Sequence, residues 1–233
     1  MFKSYAPDVY GSLPDFAVTR NKASNVADSL AGIGDLISRR RLSSKVGFSL
    51  LHKHFDLSSN ERLIEETGDN STVVTPRPTD HKTAVSAYLW KAESTDEQDH
   101  YDWYPLEFMA TADVGAVTQG VASSLESDVV LLDQIAADLH RLALEDVIGI
   151  TLLHRDQIEI PEGNVLVEVT DHDARTLTWS PVPKDLYSSD ELVQTVWRIE
   201  PDGALQSVGD CGHCLHCSGH CLHYETRSQR EAT

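Results

Sequence analysis

The sequence has no uninterrupted stretch of about 18 apolar residues, so no segment has the length and hydrophobicity of a membrane-spanning helix. Its first 16 residues, MFKSYAPDVYGSLPDF, also lack the apolar core of a secretory signal peptide. We therefore expect a cytoplasmic protein without a membrane partner.

Basic residues are scarce: 19 Lys and Arg stand against 37 Asp and Glu, which gives a net charge of −18. Nucleic-acid binding depends on Lys and Arg contacts to phosphate, so a nucleic-acid partner is not expected. Aromatic residues make up only 7% of the chain, too few for an extended base-stacking surface. An acidic surface of this kind remains compatible with an adaptor protein that binds a basic partner.

Cysteine is absent from the first 210 residues, and all four cysteines fall within the 13-residue segment CGHCLHCSGHCLH at 211–223. Their spacing is C-x2-C-x2-C-x3-C, and four histidines are interleaved with them. In a reducing compartment, clustered thiols favour metal ligation over disulfides. We therefore predict a metal site formed by Cys211, Cys214, Cys217, Cys221, His213, His216, His220 and His223.

The interleaved imidazoles favour zinc at this segment, with copper(I) as the alternative. An iron–sulfur cluster is less favoured, because Leu222 replaces the proline that follows the fourth cysteine in the bacterial ferredoxin run. The run is too compact for a classical zinc finger, in which a longer segment separates the two ligand pairs. A polar tail that binds metal only adventitiously is the remaining interpretation.

The chain also aligns with itself. Residues 30–53 match 132–155 without a gap at an offset of 102, and Trp90 lies opposite Trp197 at an offset of 107. Helical spacing of apolar residues predicts helices over 24–41 and 126–145, and short apolar segments predict strands at 46–52 and 148–154. Further strands are expected at 72–75, 84–91, 104–110, 164–170, 174–180 and 193–199.

These patterns predict an α+β fold of two tandem repeats packed about a pseudo-twofold axis, each a helix followed by a strand and an antiparallel meander. The expected divisions are an N-terminal surface arm at 1–21, a first repeat at 22–113, a second at 114–209, and the Cys/His-rich segment with a polar tail at 210–233.

A second candidate site lies in this body. Alternate residues of a strand share a face, so His52 and His54 are expected on one face, and His154 and Asp156 on another. If the two strands approach each other, these four side chains suit a metal ion or a general acid–base pair. Histidines that merely end their strands are the alternative. The carboxylates Glu159, Glu162 and Glu168 could add ligands, although acidic residues are abundant throughout.

The sequence therefore favours an intracellular zinc- or copper-binding protein. The first alternative is a metal-dependent or histidine-based enzyme acting on a small metabolite at His52, His54 and His154. The second is the acidic adaptor. Whether the protein is an enzyme stays open, and no dinucleotide or phosphate-binding motif is present to narrow the choice.

Overall fold

The computed structural model describes residues 1–23, 26–95, 100–187, 192–202 and 204–212. The α-helices in these ranges are α1 Pro7–Gly11, α2 Phe16–Ala23, α3 Val26–Arg39, α4 Ala116–Ser127 and α5 Val129–Arg141. The strands are β1 Val46–Leu50, β2 Glu61–Gly68, β3 Ser71–Pro78, β4 Val85–Ser94, β5 Tyr101–Ala110, β6 Ile148–Leu152, β7 Asn164–Asp171, β8 Thr176–Pro183, β9 Leu192–Ile199 and β10 Leu205–Gly212. Short 3-10 turns cover Thr111–Asp113 and Lys184–Leu186.

The ten strands form one closed barrel in the order β1-β6-β4-β5-β2-β3-β8-β7-β10-β9, with β9 pairing back onto β1. Most neighbours are antiparallel, but β2 pairs with β5 and β7 pairs with β10 in parallel. A closed barrel leaves no unpaired edge and encloses an interior lined by alternate residues of each strand. That interior holds the candidate site.

The predicted α+β fold of two tandem repeats is wrong. The structure is dominated by a single mixed ten-stranded barrel, and its helices are few and short. Strands from the two expected units interleave, because β6 lies between β1 and β4, and β3 pairs with β8. The parallel pairs also exclude simple antiparallel meanders. Sequence periodicity reports only local conformation, whereas these pairings join segments about 100 residues apart.

Gly47 in β1 and Gly149 in β6 allow close approach of the neighbouring strands β9 and β4. A Cβ atom at Gly47 would lie 2.3 Å from the carbonyl oxygen of Trp197, and one at Gly149 would lie 2.5 Å from that of Trp90. Both contacts are with backbone atoms, which cannot rotate away. Any larger residue at either position therefore pushes apart strands that close the barrel.

Helices α3 and α5 bury one face each and contact one another. The helical spacing seen in the sequence matches this face: Leu30, Ile33, Leu132 and Ile135 are at most 1% exposed. In α5 the carboxylate of Asp128 caps the first turn by accepting a hydrogen bond from the backbone N–H of Leu131 at 3.0 Å. The two helices pack onto the same main core as the barrel strands.

The sequence predicts an N-terminal arm on the surface, but part of this segment is buried. Tyr10, Leu13 and Phe16 are 0%, 5% and 2% exposed, so α1 and the start of α2 contribute to the core. The ring of Phe16 meets that of His52 edge-on at 4.9 Å. The segment thus shields the histidines that follow β1 from solvent.

Among the described residues, none of the helices combines the length and hydrophobicity that a crossing of the bilayer requires.

Candidate metal centre

His52 and His54 reach the barrel interior because they directly follow β1, where the chain leaves the sheet. Their side chains are 3% and 4% exposed. The Nδ1 atom of His52 lies 3.0 Å from the carbonyl oxygen of Leu50. A carbonyl oxygen only accepts hydrogen bonds, so Nδ1 carries the proton, and the lone pair of the neutral ring is on Nε2.

Glu168, from the middle of β7, meets both imidazoles through one oxygen atom. Its Oε1 lies 3.3 Å from Nε2 of His52 and 3.6 Å from Nδ1 of His54. Burial alone raises the pKa of Glu168, but the nearby His54, His52 and Arg155 outweigh burial and lower the pKa below its ordinary value. Glu168 is therefore a carboxylate although it is only 3% exposed.

The other ring nitrogen of His54 faces a second carboxylate. Nε2 lies 3.5 Å from Oε1 of Glu107, and a proton on Nε2 leaves the lone pair of His54 on Nδ1, toward Glu168. The Oγ1 atom of Thr170 lies 3.3 Å from the same Nδ1. Both histidines thus have one nitrogen held by an acceptor and the other directed at Glu168.

Tyr88 completes this side of the interior by donating its hydroxyl proton to Oε2 of Glu107. Burial raises the pKa of Tyr88 well above its ordinary value, and the negative charges of Glu107 and Glu65 raise it further. Tyr88 therefore stays protonated and keeps Glu107 oriented toward His54.

A second group, formed by His154, Glu65 and Arg155, lies beyond Tyr88. His154 Nδ1 lies 3.0 Å from the carbonyl oxygen of Leu152, and its Nε2 lies 2.8 Å from Oε1 of Glu65. Arg155 donates to the other oxygen of Glu65, and its guanidinium lies over the ring of Trp179 at 4.5 Å. Burial opposes ionisation of Glu65, but Arg155 and His154 outweigh it and lower its pKa to about 2.

The two groups differ in how their negative charge is balanced. Glu65 has a guanidinium as a permanent partner, whereas the ion-pair partners of Glu168 and Glu107 among the described residues are imidazoles, whose charge depends on protonation. A buried carboxylate without a partner is costly, so its charge on the His52 side is balanced either by a proton on these imidazoles or by a metal ion between them.

A small cavity of about 20 Å³ lies at this place, lined in part by His52, His54, Tyr88, Glu107 and Glu168. That volume suits a single water-sized occupant or an ion. The ligand atoms of His52, His54 and Glu168 all lie within 4.8 Å of one another, and among the described residues only this group could hold a metal ion. Two imidazoles and one carboxylate are a common ligand set for zinc and for non-haem iron.

The structure brings together only part of the residue set suggested by the sequence. His52 and His54 share one cluster. His154 belongs to the neighbouring group, and the register of β1 with β6 places His52 and His154 beyond opposite ends of that strand pair. The carboxylate of Asp156 is 76% exposed and pairs with Lys45 outside the barrel. Glu159 and Glu162 are exposed, so of the three extra carboxylates only Glu168 lies in the interior.

The predicted tail site cannot be placed. Cys211 is the next-to-last residue of β10, while Cys214, Cys217, Cys221, His213, His216, His220 and His223 lie outside the described residues.

Glu65, Glu107 and Tyr88 were not anticipated as site residues. Glu107 carries a local signal, since it stands in the middle of a strand between apolar neighbours in PLEFM, whereas Glu65 stands beside Glu66 in RLIEE. A charged residue at a buried strand position normally requires a buried partner. Sequence alone could not identify the partner, because Glu65 meets His154 from a segment 89 residues away.

No protein-family model, curated protein or solved structure matched this chain, so its function is inferred here from the geometry of the interior.

Proposed function

We propose that this protein binds one divalent transition-metal ion inside its barrel, held by His52 Nε2, His54 Nδ1 and a carboxylate oxygen of Glu168. The observation that carries the proposal is the orientation of the two imidazoles. The hydrogen bond of His52 to Leu50 and the contact of His54 with Glu107 leave the other nitrogen of each ring facing Glu168. A cation between these two nitrogens and the carboxylate is attracted by all three.

The spacing of these atoms agrees with shared coordination. Ligands about 2.1 Å from a tetrahedral ion lie about 3.4 Å from one another. The two imidazole nitrogens lie 3.3 and 3.6 Å from the same oxygen of Glu168. The His154–Glu65 contact of 2.8 Å is shorter, as expected for a direct hydrogen bond whose cation is Arg155.

The surroundings of the histidines also support metal binding. Metal-bound histidines usually donate their other N–H to a carbonyl or carboxylate oxygen, which fixes the ring and raises its basicity. Leu50 supplies the carbonyl for His52, and Glu107 supplies the carboxylate for His54. A divalent ion would also balance the negative charge of the buried Glu168 carboxylate.

The ligand set favours zinc, iron(II) or manganese over copper(I), because copper(I) prefers sulfur ligands. Three protein ligands leave an open position that a water molecule can fill. The cavity of about 20 Å³ has room for that water but not for an organic substrate. Ion binding is therefore better supported than catalysis on a metabolite at this site.

The tail is a separate proposal. We infer from its composition that the segment 211–223 holds one to two zinc or copper(I) ions through thiolates. The two proposals are separated with a full-length, tail-silent variant in which the cysteines become serine and the histidines alanine: Cys211→Ser, Cys214→Ser, Cys217→Ser, Cys221→Ser, His213→Ala, His216→Ala, His220→Ala and His223→Ala.

The experiment removes metal from the tail-silent protein with a chelator, then titrates cobalt(II) and zinc(II) and counts bound ions by elemental analysis. One ion per chain is expected, with the visible bands of nitrogen- and oxygen-bound cobalt and no thiolate charge-transfer band. Glu168→Gln keeps the side-chain shape but removes the anionic ligand, so metal affinity should fall at least about tenfold.

Glu65→Gln is the matched control, because Glu65 is equally buried and also bonded to a histidine. It should retain the bound ion. The proposal would be contradicted if the tail-silent protein and its Glu168→Gln derivative bound equal amounts of metal, or if neither bound any. The tail proposal fails if the unmodified protein binds no more metal than the tail-silent one.

A further inference from the structure

A larger cleft opens beside the barrel interior, next to the loop that follows β6. Its volume is about 460 Å³, within the usual range for small-molecule sites. Arg155, Trp179 and Val196 line both this cleft and the small inner cavity, so they form the wall between the two. The cleft is thus distinct from the proposed metal centre.

Part of the cleft lining is apolar. Ile158, Leu166, Trp179 and Val196 form a hydrophobic cluster of their own, separate from the main core. Ile160 adds an aliphatic side chain at the opening and is 49% exposed. Such a surface fits a ring or short hydrocarbon chain, whose transfer from water is favourable in proportion to the area buried.

The lining also carries two guanidinium groups, although the chain as a whole has a net charge of −18. The side chain of Arg198 is 38% exposed. It donates from Nε to Glu200 at 2.9 Å and from Nη2 to Gln206. A guanidinium has five N–H donors in a fork that matches a carboxylate, so Arg198 has donors left for a ligand.

Arg155 adds a second guanidinium at the inner end of the cleft, and one of its nitrogens is paired with Glu65. Its side chain is 12% exposed, and its Nε has no hydrogen-bond partner among the described residues. The one carboxylate on the lining, Asp156, is paired with Lys45 at 3.3 Å. The cleft therefore combines an apolar surface with guanidinium N–H donors that the contacts to Glu65, Glu200 and Gln206 do not use up.

We infer that this cleft binds a small organic anion with an apolar body. The carboxylate group of such a ligand meets Arg198 and faces Arg155, and its ring or chain packs against Trp179 and the neighbouring aliphatic side chains. This binding goes beyond the proposed metal function and does not require a metal ion.

The probe pair is phenylacetate and phenylacetamide, which have nearly the same shape and differ in charge. Isothermal titration of the metal-free protein should show binding of phenylacetate at least about tenfold tighter than that of the amide, as hydrogen bonds to charged groups contribute about 1.5–3 kcal/mol. Equal affinity for the two probes, or binding of neither, would overturn the inference.

Ile160→Asp tests the location, because it places a negative charge at the opening without disturbing a buried residue. Leu186→Asp is the matched control: Leu186 is also an exposed aliphatic residue, at 65%, and does not line the cleft. Phenylacetate affinity should fall at least about tenfold in Ile160→Asp and in Arg198→Gln, and stay unchanged in Leu186→Asp.

Two variants distinguish anion binding in the cleft from metal binding inside the barrel. Glu168→Gln should lose metal and keep phenylacetate binding, whereas Ile160→Asp should keep metal and lose phenylacetate binding. An unchanged phenylacetate affinity in both Ile160→Asp and Arg198→Gln would show that the anion binds elsewhere. Near-ultraviolet circular dichroism of each variant checks that the packing of the tryptophans is preserved.

Discussion

Replacing Glu65 with glutamine should destabilise the protein in a pH-dependent way. Glutamine keeps the shape of the side chain but removes the negative charge that Arg155 and His154 share inside the barrel. Removing one partner of a buried ion pair leaves the other charge unpaired, and typically costs 3–5 kcal/mol. The Arg155 guanidinium, with a side chain only 12% exposed, cannot recover this loss by hydration.

The magnitude follows from the pKa of Glu65, which is lowered from 4.5 to about 2 in the folded protein. This lowering of the pKa corresponds to about 3 kcal/mol of stability. Because the folded-state pKa is the lower one, this stabilisation is fully present above about pH 4.5. It is lost as the pH falls from about 4.5 to about 2.

The assay is urea unfolding of wild type and Glu65→Gln at a series of pH values between 7 and 2. The difference in unfolding free energy should be about 3 kcal/mol at pH 7 and should shrink toward zero near pH 2. A difference below about 1 kcal/mol at pH 7, or one that does not change with pH, would refute the reasoning.

Glu61→Gln serves as the comparison. Arg175 likewise lowers the pKa of Glu61 to about 2, but the two side chains are 20% and 38% exposed. Solvent screens this ion pair, so Glu61→Gln should lower the unfolding free energy by less than about 1 kcal/mol. A cost equal to that of Glu65→Gln would show that burial is not the deciding factor.

Two further predictions concern the scaffold. Gly149→Ala should destabilise the barrel by at least about 2 kcal/mol, because the added Cβ would lie 2.5 Å from the carbonyl oxygen of Trp90. Equal thermal stability of the variant and the wild type would contradict this close approach. Asp128→Ala should lower the unfolding free energy by about 1 kcal/mol, because it removes the acceptor for the N–H of Leu131 at the start of α5. Asp128→Asn keeps a capping oxygen and should recover most of this loss in the same unfolding assay.

Elements with a strong local pattern were predictable. The helices expected over 24–41 and 126–145 are observed as Val26–Arg39 and Val129–Arg141, and the strands at 46–52 and 148–154 as Val46–Leu50 and Ile148–Leu152. β2 was missed because ERLIEETG contains three glutamates and an arginine, which obscure its alternation. β10 was missed as well, and its short, weakly apolar sequence has little periodicity to detect.

By itself, the sequence determined that His52 and His54 lie on one face at the end of an apolar strand, since that depends only on the two-residue period of an extended chain. It could not determine their ligand partner. Glu168 is 116 residues from His52, and only the closure of the barrel brings β7 opposite the end of β1.

The same limit applies to the architecture and to the charges. Which strands pair is set by hydrogen bonds between distant backbones, which leave no periodic trace in either segment. Arg155 and Asp156 are adjacent in the sequence, yet one lies in the barrel beside Glu65 and the other is exposed beside Lys45. Local sequence determined which residue types could ionise or bind a metal, and the tertiary structure decided which of them are buried together.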